Sequence, residues 1–251
     1  MEKIRIMTYN IQHGHVYLSQ KPGDEIDLTK TGAVMRDLGA DIIGVNEVRG
    51  NSSGAHPGYT AQAEELGAYL GYHAYFGRAI YVGGKCPYGN AVLSRWPIVE
   101  AKTIRIPDPV SPADSRHMEP RCIVRCVIEI PSDSPFSDCI AVYSTHFGLN
   151  PTEAEHAAST LIALLRDESL PFVVMGDFNL QPDSPLLAPL YKYLTPTDDL
   201  MAEDERFSFP SNAPRCKIDY IFTGNGAVPT AAKTEHIVAS DHCPIWADIA
   251  W

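Results

Sequence analysis

The stretch VVMGDFN, residues 173–179, runs three apolar residues straight into a glycine, a carboxylate, an aromatic ring and an amide. The apolar half reads as a buried strand. The polar half consists of acceptors that resist burial unless something satisfies them. Gly-Asp is turn chemistry, and Asp and Asn are common turn residues, so a simple turn accounts for this segment taken alone. The rest of the chain has to decide between a turn and a site.

The chain has 251 residues, 45% hydrophobic and 20% charged, enough to bury a large core. We expect one domain over residues 1–251. No apolar run approaches the roughly 18 residues of a membrane-spanning helix, and MEKIRIMTYN at the start is charged and alternating rather than signal-like. A cytoplasmic location is the expectation. The formal net charge of −11, with no basic tract, argues against extended nucleic-acid contact but not against a nuclease site whose positive charge comes from metal ions. The six cysteines contain no C-x-x-C pair. In a reducing compartment they read as buried thiols rather than disulfides, with Cys122 and Cys126 on one face of a strand.

Alternation and apolar runs predict strands at residues 4–9, 41–48, 73–80, 90–96, 122–130, 139–147, 171–178, 217–222 and 242–250. Asp27 is placed to cap a helix ending at Leu38, with Gly39 as its stop. A second helix is expected from Thr60 to Leu70, stopping at Gly71. Thr152 and Glu155 form a T-x-x-E capping box ahead of an apolar pattern through Leu165. Residues 49–59 read as loop. Few helices among many strands joined by short turns predict an α/β sandwich with many antiparallel pairs, not a doubly wound parallel sheet.

Several apolar strands share the habit of VVMGDFN. IMTYN ends at Asn10, IIGVNE at Glu47, AVYSTH at His146 and VVMGDFN at Asp177 and Asn179; KIDYIF carries Asp219, and ASDHCPIW opens with Asp241 and His242. Each alone is bland: a turn residue, a surface charge beside Arg49, a core histidine. Their recurrence would gather hard oxygen ligands and two imidazoles at one rim. Carboxylates, amides and histidines without clustered cysteines favour Mg²⁺ or Mn²⁺ over structural zinc. Such an ion neutralises a phosphate, and a histidine held by an aspartate takes a proton from water. Metal-assisted hydrolysis at phosphorus follows, with a phosphate ester as substrate.

TYNIQH, NE, YGNAVLSRWPI, STHFGL, GDFN, KIDYIF and SDHCPI resemble, in order, the motifs of the endonuclease/exonuclease/phosphatase superfamily, from Thr8 to Ile245. The resemblance implies a four-layer α/β sandwich, two mixed, mostly antiparallel sheets face to face with helices outside. It implies that Glu47 is the principal metal ligand, with Asn10 beside it and Asp241 as a metal-side acid. Asp177 and Asn179 would position the attacking water or assist the leaving group. Asp219 and His242 resemble the carboxylate–imidazole dyad, and His146 the second histidine at the phosphoryl oxygens; which histidine is the base stays open. Asn90 and Arg121 are candidate substrate contacts or framework residues. Asn46 stands where the family commonly has Gln. PRCKIDYIF lacks the Trp-Cys-Asp-Arg form of inositol polyphosphate 5-phosphatases, and loops 12–24 and 79–88 match no subfamily. A small-molecule or lipid-headgroup phosphodiesterase or phosphatase is expected ahead of a nuclease. A non-catalytic module would have lost chemical positions, and none is lost.

Overall fold

The computed structural model describes residues 3–19, 25–52, 59–110, 118–131 and 139–250. Its first sheet contains β1 (Ile4–Asn10), β2 (Ile42–Arg49), β3 (His73–Val82), β4 (Cys86–Ser94), β11 (Val228–Thr234) and β12 (Ile245–Ala250), in the order β11-β12-β1-β2-β4-β3. The second contains β5 (Ile98–Arg105), β6 (Cys122–Glu129), β7 (Cys139–His146), β8 (Phe172–Asp177), β9 (Thr195–Pro196) and β10 (Asp219–Gly224), in the order β5-β6-β7-β8-β10-β9. β1 and β2 pair in parallel, as do β7 and β8; the other neighbours are antiparallel. A parallel pair needs a crossover, and helices α1 (Leu28–Leu38) and α3 (Pro151–Arg166) supply it.

The layers follow from side-chain alternation. Ile6, Ile42 and Val92 of the first sheet meet Val124, Val142, Met175 and Ile221 of the second in one buried cluster. On the outer face of the first sheet, Tyr9, Ile43 and Leu93 pack with Met35 of α1 and Leu66 of α2 (Gln62–Leu70). On the outer face of the second, Tyr143, Val174 and Phe222 pack with Ala157, Leu161 and Leu165 of α3. The result is the expected four-layer sandwich. Each fully buried Val, Leu or Ile side chain contributes about 1.5–3 kcal/mol, so these three clusters dominate the stability.

Asp27 caps α1 by accepting from Thr29 N at 3.0 Å, and Gly39 ends it in the left-handed region, as expected. The N-terminus of α3 differs. Its cap is Asn150, whose side chain accepts from Thr152 N at 2.9 Å, with Pro151 in the first turn. Asn150 lies two residues ahead of Thr152, so the Thr152–Glu155 capping box is not used. Strands β5 and β11 were not expected; both are edge strands whose mostly half-exposed residues carry little apolar alternation. The predicted loop 49–59 is described only in part, and residues 53–58 fall outside the described residues. Residues 79–88 form a hairpin: β3 continues to Val82, and β4 begins at Cys86. The cysteines are thiols rather than disulfides, four of them buried and Cys139 and Cys216 half-buried. Among the described residues, no helix is long and apolar enough to cross a membrane.

Candidate active site

The same alternation that builds the inter-sheet core carries polar residues to one rim. Ile4 and Ile6 point inward, and two steps of two along β1 bring the inward position to Asn10. The inward rows of β2, β7 and β8 likewise reach Asn46, His146 and Asp177, while β10 begins on an inward Asp219. Register lines them up. Asn10 lies opposite Asn46; His146 lies opposite Asp177, and Asp177 opposite Asp219, on three adjacent strands. Thr8 of β1 pairs with Ile245 of β12, so His242, just ahead of β12, reaches the same rim.

The GDFN stretch has a specific backbone. A Cβ at Gly176 would collide with the Thr145 carbonyl oxygen, so glycine lets β8 lie close against β7. Asn179 adopts φ +51°, which asparagine tolerates better than most side chains, and the chain turns away immediately after Asp177. Glu47 has φ +60° at an irregularity between Val45 and Val48 in the β2–β4 pairing, which takes it out of the regular ladder.

Neighbouring amide, hydroxyl, backbone and imidazole groups donate to most of these acceptors; Asp219 Oδ1 is buried with no partner among the described residues. Asn10 Nδ2 donates to Glu47 Oε1 at 3.2 Å and to Asp177 Oδ2 at 3.1 Å, linking the two sheets. Asp177 Oδ1 accepts from Asn179 N at 2.9 Å. His242 Nδ1 lies 2.8 Å from Asp219 Oδ2, which also accepts from Ser208 Oγ at 2.6 Å. His242 Nε2 faces Asp177 Oδ2 at 3.7 Å.

His146 has a defined tautomer. Arg121 Nη1 lies 3.0 Å from its Nδ1, and guanidinium only donates, so Nδ1 accepts and the neutral ring carries its proton on Nε2. That proton faces Asp177 Oδ2 at 3.4 Å. Asn179 Nδ2, 3.2 Å from the same nitrogen, instead donates to the Phe147 carbonyl at 3.0 Å.

The two histidines are tuned in opposite directions. Burial, then the Arg121 charge and His242, hold His146 well below the ordinary histidine value. Burial also opposes the charge on His242, but the Asp219 and Asp177 carboxylates outweigh it and raise its pKa. Burial, then the neighbouring Asp219 carboxylate, raise Asp177. Glu47 and Asp241 are both raised, each chiefly by burial, and the Asp241 charge adds to the effect on Glu47.

The rim therefore brings together Asn10, Glu47, His146, Asp177, Asn179, Asp219 and His242; Asp241, next to His242, accepts from Ser240 Oγ at 3.1 Å and lies near enough for its charge to act on Glu47 and His242. Arg121 reaches the site through His146 and pairs with Glu119 at 2.8 Å. Asn90 is almost fully buried. Its amide accepts from Asn46 Nδ2 at 3.0 Å and donates to the Cys122 carbonyl at 3.0 Å, so its hydrogen bonds belong to the framework. Asn46 has a larger part than its sequence reading suggested. It donates to the Thr145 carbonyl at 2.9 Å and accepts from Asp177 N at 3.0 Å, so it anchors the strand end bearing Asp177. An amide inside an otherwise apolar strand was the available signal. Ser208 and Phe209, whose ring lies 4.8 Å from that of His242, had no such signal. Pairing of Phe209 with Cys216 brings them in.

A donor set of two carboxylates and an amide, Glu47, Asp241 and Asn10, suits a hard divalent cation. Asp177, Asp219 and His242 also offer ligand atoms within 4.8 Å of one another. In that trio the nearest oxygen of Asp219 already holds His242, so the trio is first a hydrogen-bonded dyad beside a second carboxylate.

A family model described as Endonuclease/Exonuclease/phosphatase family matches residues 7–242. No curated protein sequence matches the chain. Among solved structures, an endonuclease/exonuclease/phosphatase from Beutenbergia cavernae is 22% identical with a TM-score of 0.80, covering 99% of this chain and 72% of that one. A mannosyl-6-phosphatase from Bacteroides thetaiotaomicron is 17% identical with a TM-score of 0.71, covering 99% and 100%. D. rerio TDP2 complexed with single strand DNA product is 13% identical with a TM-score of 0.70, covering 100% of both chains. At these identities the shared property is the fold.

Proposed function

The chain belongs to the endonuclease/exonuclease/phosphatase family, and on that footing we propose that it is a divalent-metal-dependent hydrolase of phosphate esters, acting on a small-molecule or lipid-headgroup substrate. The observation that carries this reading is the hydrogen-bonded path from Glu47 through Asn10 to Asp177, ending beside the His242–Asp219 pair. It sets a cation-type donor set next to a proton-transfer pair.

The residues fit a hard divalent ion, Mg²⁺ or Mn²⁺. Glu47 and Asp241 are carboxylates whose ionised forms are penalised chiefly by burial, with the Asp241 charge adding to the penalty on Glu47 and the Asp219 charge to that on Asp241, which a cation relieves. When bound, such an ion supplies positive charge to a phosphoryl oxygen and to the leaving oxygen.

The chain's own groups have separate tasks. Asp219 fixes the His242 ring through Nδ1, leaving Nε2 free to take a proton from the attacking water. Asp177, held by Asn10 and by the backbone N–H of Asn179, orients that water. His146 acts as a donor: with Nδ1 accepting from Arg121, its Nε2–H, which faces Asp177 Oδ2 at 3.4 Å, is available to a phosphoryl oxygen placed beside that carboxylate. On this reading His242 is the base and His146 the stabilising donor. The net charge of −11 favours a compact substrate over a polynucleotide.

A panel of phosphomonoesters, phosphodiesters and plasmid DNA, assayed with Mg²⁺ and with Mn²⁺, tests the reading. Turnover of small esters well above that of DNA is expected. Efficient plasmid nicking at physiological salt with poor turnover of small esters would replace this reading with a nuclease.

A further inference from the structure

Between the loop that follows β7 and the loop that follows β8 lies a cavity of about 510 Å³, within the range of about 300–1,000 Å³ usual for small-molecule sites. Resting on the hydrolase reading, we propose that this cavity is the subsite for the alcohol part of the substrate, and that it takes an uncharged, apolar-faced group such as an aryl or alkyl alcohol.

Three observations carry this. First, the cavity borders the reaction centre through a shared residue. Asn179 lines it and also touches His146 Nε2 at 3.2 Å, and its Nδ2 ties the two loops together through the Phe147 carbonyl. An ester held at His146 by its phosphoryl oxygens therefore presents one substituent to this space. Second, the walls are apolar: Leu149, Pro151, Leu180, Pro185 and Leu186 line it. Leu149 is 69% exposed, at the position where a bound apolar group would cover it. Third, among the described residues no lysine or arginine lines the cavity, and the one charged side chain in its wall is the Glu155 carboxylate. A second phosphate, or the next phosphodiester of a polynucleotide, would meet no positive partner there and would face that carboxylate.

The local sequence builds the cavity for identifiable reasons. Asn150 and Pro151 start α3 immediately after Leu149, which forces the β7 loop to be short. The left-handed turn at Asn179 sends residues 180–186 away from it, and the cleft opens between them.

The test is calorimetric titration of the protein, in Mg²⁺, with methylphosphonate, phenylphosphonate and phosphocholine. Phenylphosphonate is expected to bind about tenfold or more tightly than methylphosphonate, from burial of the ring. In Leu149→Asp, which adds charge to an exposed wall, and in Thr152→Trp, which fills the space, that ratio should fall to about one. Circular dichroism checks that both variants are folded. Equal affinities in the unaltered protein, no measurable binding of phenylphosphonate, tighter binding of phosphocholine, or a ratio that survives both substitutions would overturn the proposal. Hydrolysis of methyl p-nitrophenyl phosphate by the same preparation reads the hydrolase reading separately. Turnover without a phenyl preference removes only the subsite, whereas a phenyl preference without turnover removes the hydrolase, and with it the subsite role, and leaves the cavity as an apolar binding site.

Discussion

The Nδ1 of His242 lies 2.8 Å from the Oδ2 of Asp219, two buried groups from opposite sheets of the sandwich. An aspartate so placed fixes the imidazole tautomer and stabilises the cation formed on proton transfer. Replacing His242 by Ala should cost about 10²–10⁴ in kcat. Adding Asp219→Asn to that variant should cost little more, because groups acting as a unit are not additive. Single losses that multiply in the double variant would separate the two residues.

The pH profile follows from the same pair. His242 must be neutral to accept a proton, and Asp219 and Asp177 raise its pKa. Activity should therefore climb with pH through a limb above the ordinary histidine value of about 6.5. Asp219→Asn removes the charge with the larger effect on His242 and should move that limb to lower pH. An unmoved limb would assign it to another group.

His146 should titrate in the other direction. Burial and Arg121 lower its pKa, so in the folded protein the ring stays neutral below pH 6.5, with its proton on Nε2. The unfolded chain takes up a proton near pH 6.5 and the folded one does not, so this residue's contribution to stability is lost as pH falls below that value. ¹⁵N spectra of the imidazoles should show the Nε2–H tautomer at neutral pH. In Arg121→Met that preference should weaken, and kcat should fall with it. A neutral His146 with its proton on Nδ1 at pH 7 would refute the donor role.

Glu47 links stability to metal. Burial raises its pKa, so ionisation at pH 7 costs folded stability, and the penalty grows as pH rises from the unfolded value toward the folded one. The isosteric Glu47→Gln should therefore melt at the same temperature or a few degrees higher in chelator. It should also lose the upward shift that Mg²⁺ or Mn²⁺ gives the unaltered protein. Equal metal-induced shifts in both proteins would exclude Glu47 as a ligand.

Asn46 tests the framework. Its amide bonds the Thr145 carbonyl, Asp177 N and Asn90 Oδ1, all buried. Asn46→Ala leaves these groups unpaired, at about 1–3 kcal/mol each before relaxation. Thermal unfolding should show a clear drop, and activity should fall because the strand end bearing Asp177 is released. Unfolding at the unaltered temperature would contradict the bridging role.

Much of this was legible in the chain because strand alternation has a strict period of two. Apolar residues at 173 and 175 oblige position 177 to face the same way, so VVMGDFN already implied an inward Asp177 at a strand end. The α1 boundaries were readable because Asp27 and Gly39 act locally. What failed depended on distant partners or weak local signals. Thr152 and Glu155 fit a capping pattern, but Asn150 was nearer and took the N-cap. Ser208 bonds Asp219 only because Phe209 pairs with Cys216. The meeting of Arg121 with His146 spans 25 residues and two strands, and no local pattern encodes it.

The central claim is a rim that hydrolyses phosphate esters with the help of a divalent ion, and its most direct test is release of p-nitrophenol from bis-p-nitrophenyl phosphate by protein first stripped with chelator. No release is expected until Mg²⁺ or Mn²⁺ is restored, then saturable dependence on the ion. Release at full rate in chelator, or none with either ion on this or any other ester of the panel, would contradict it.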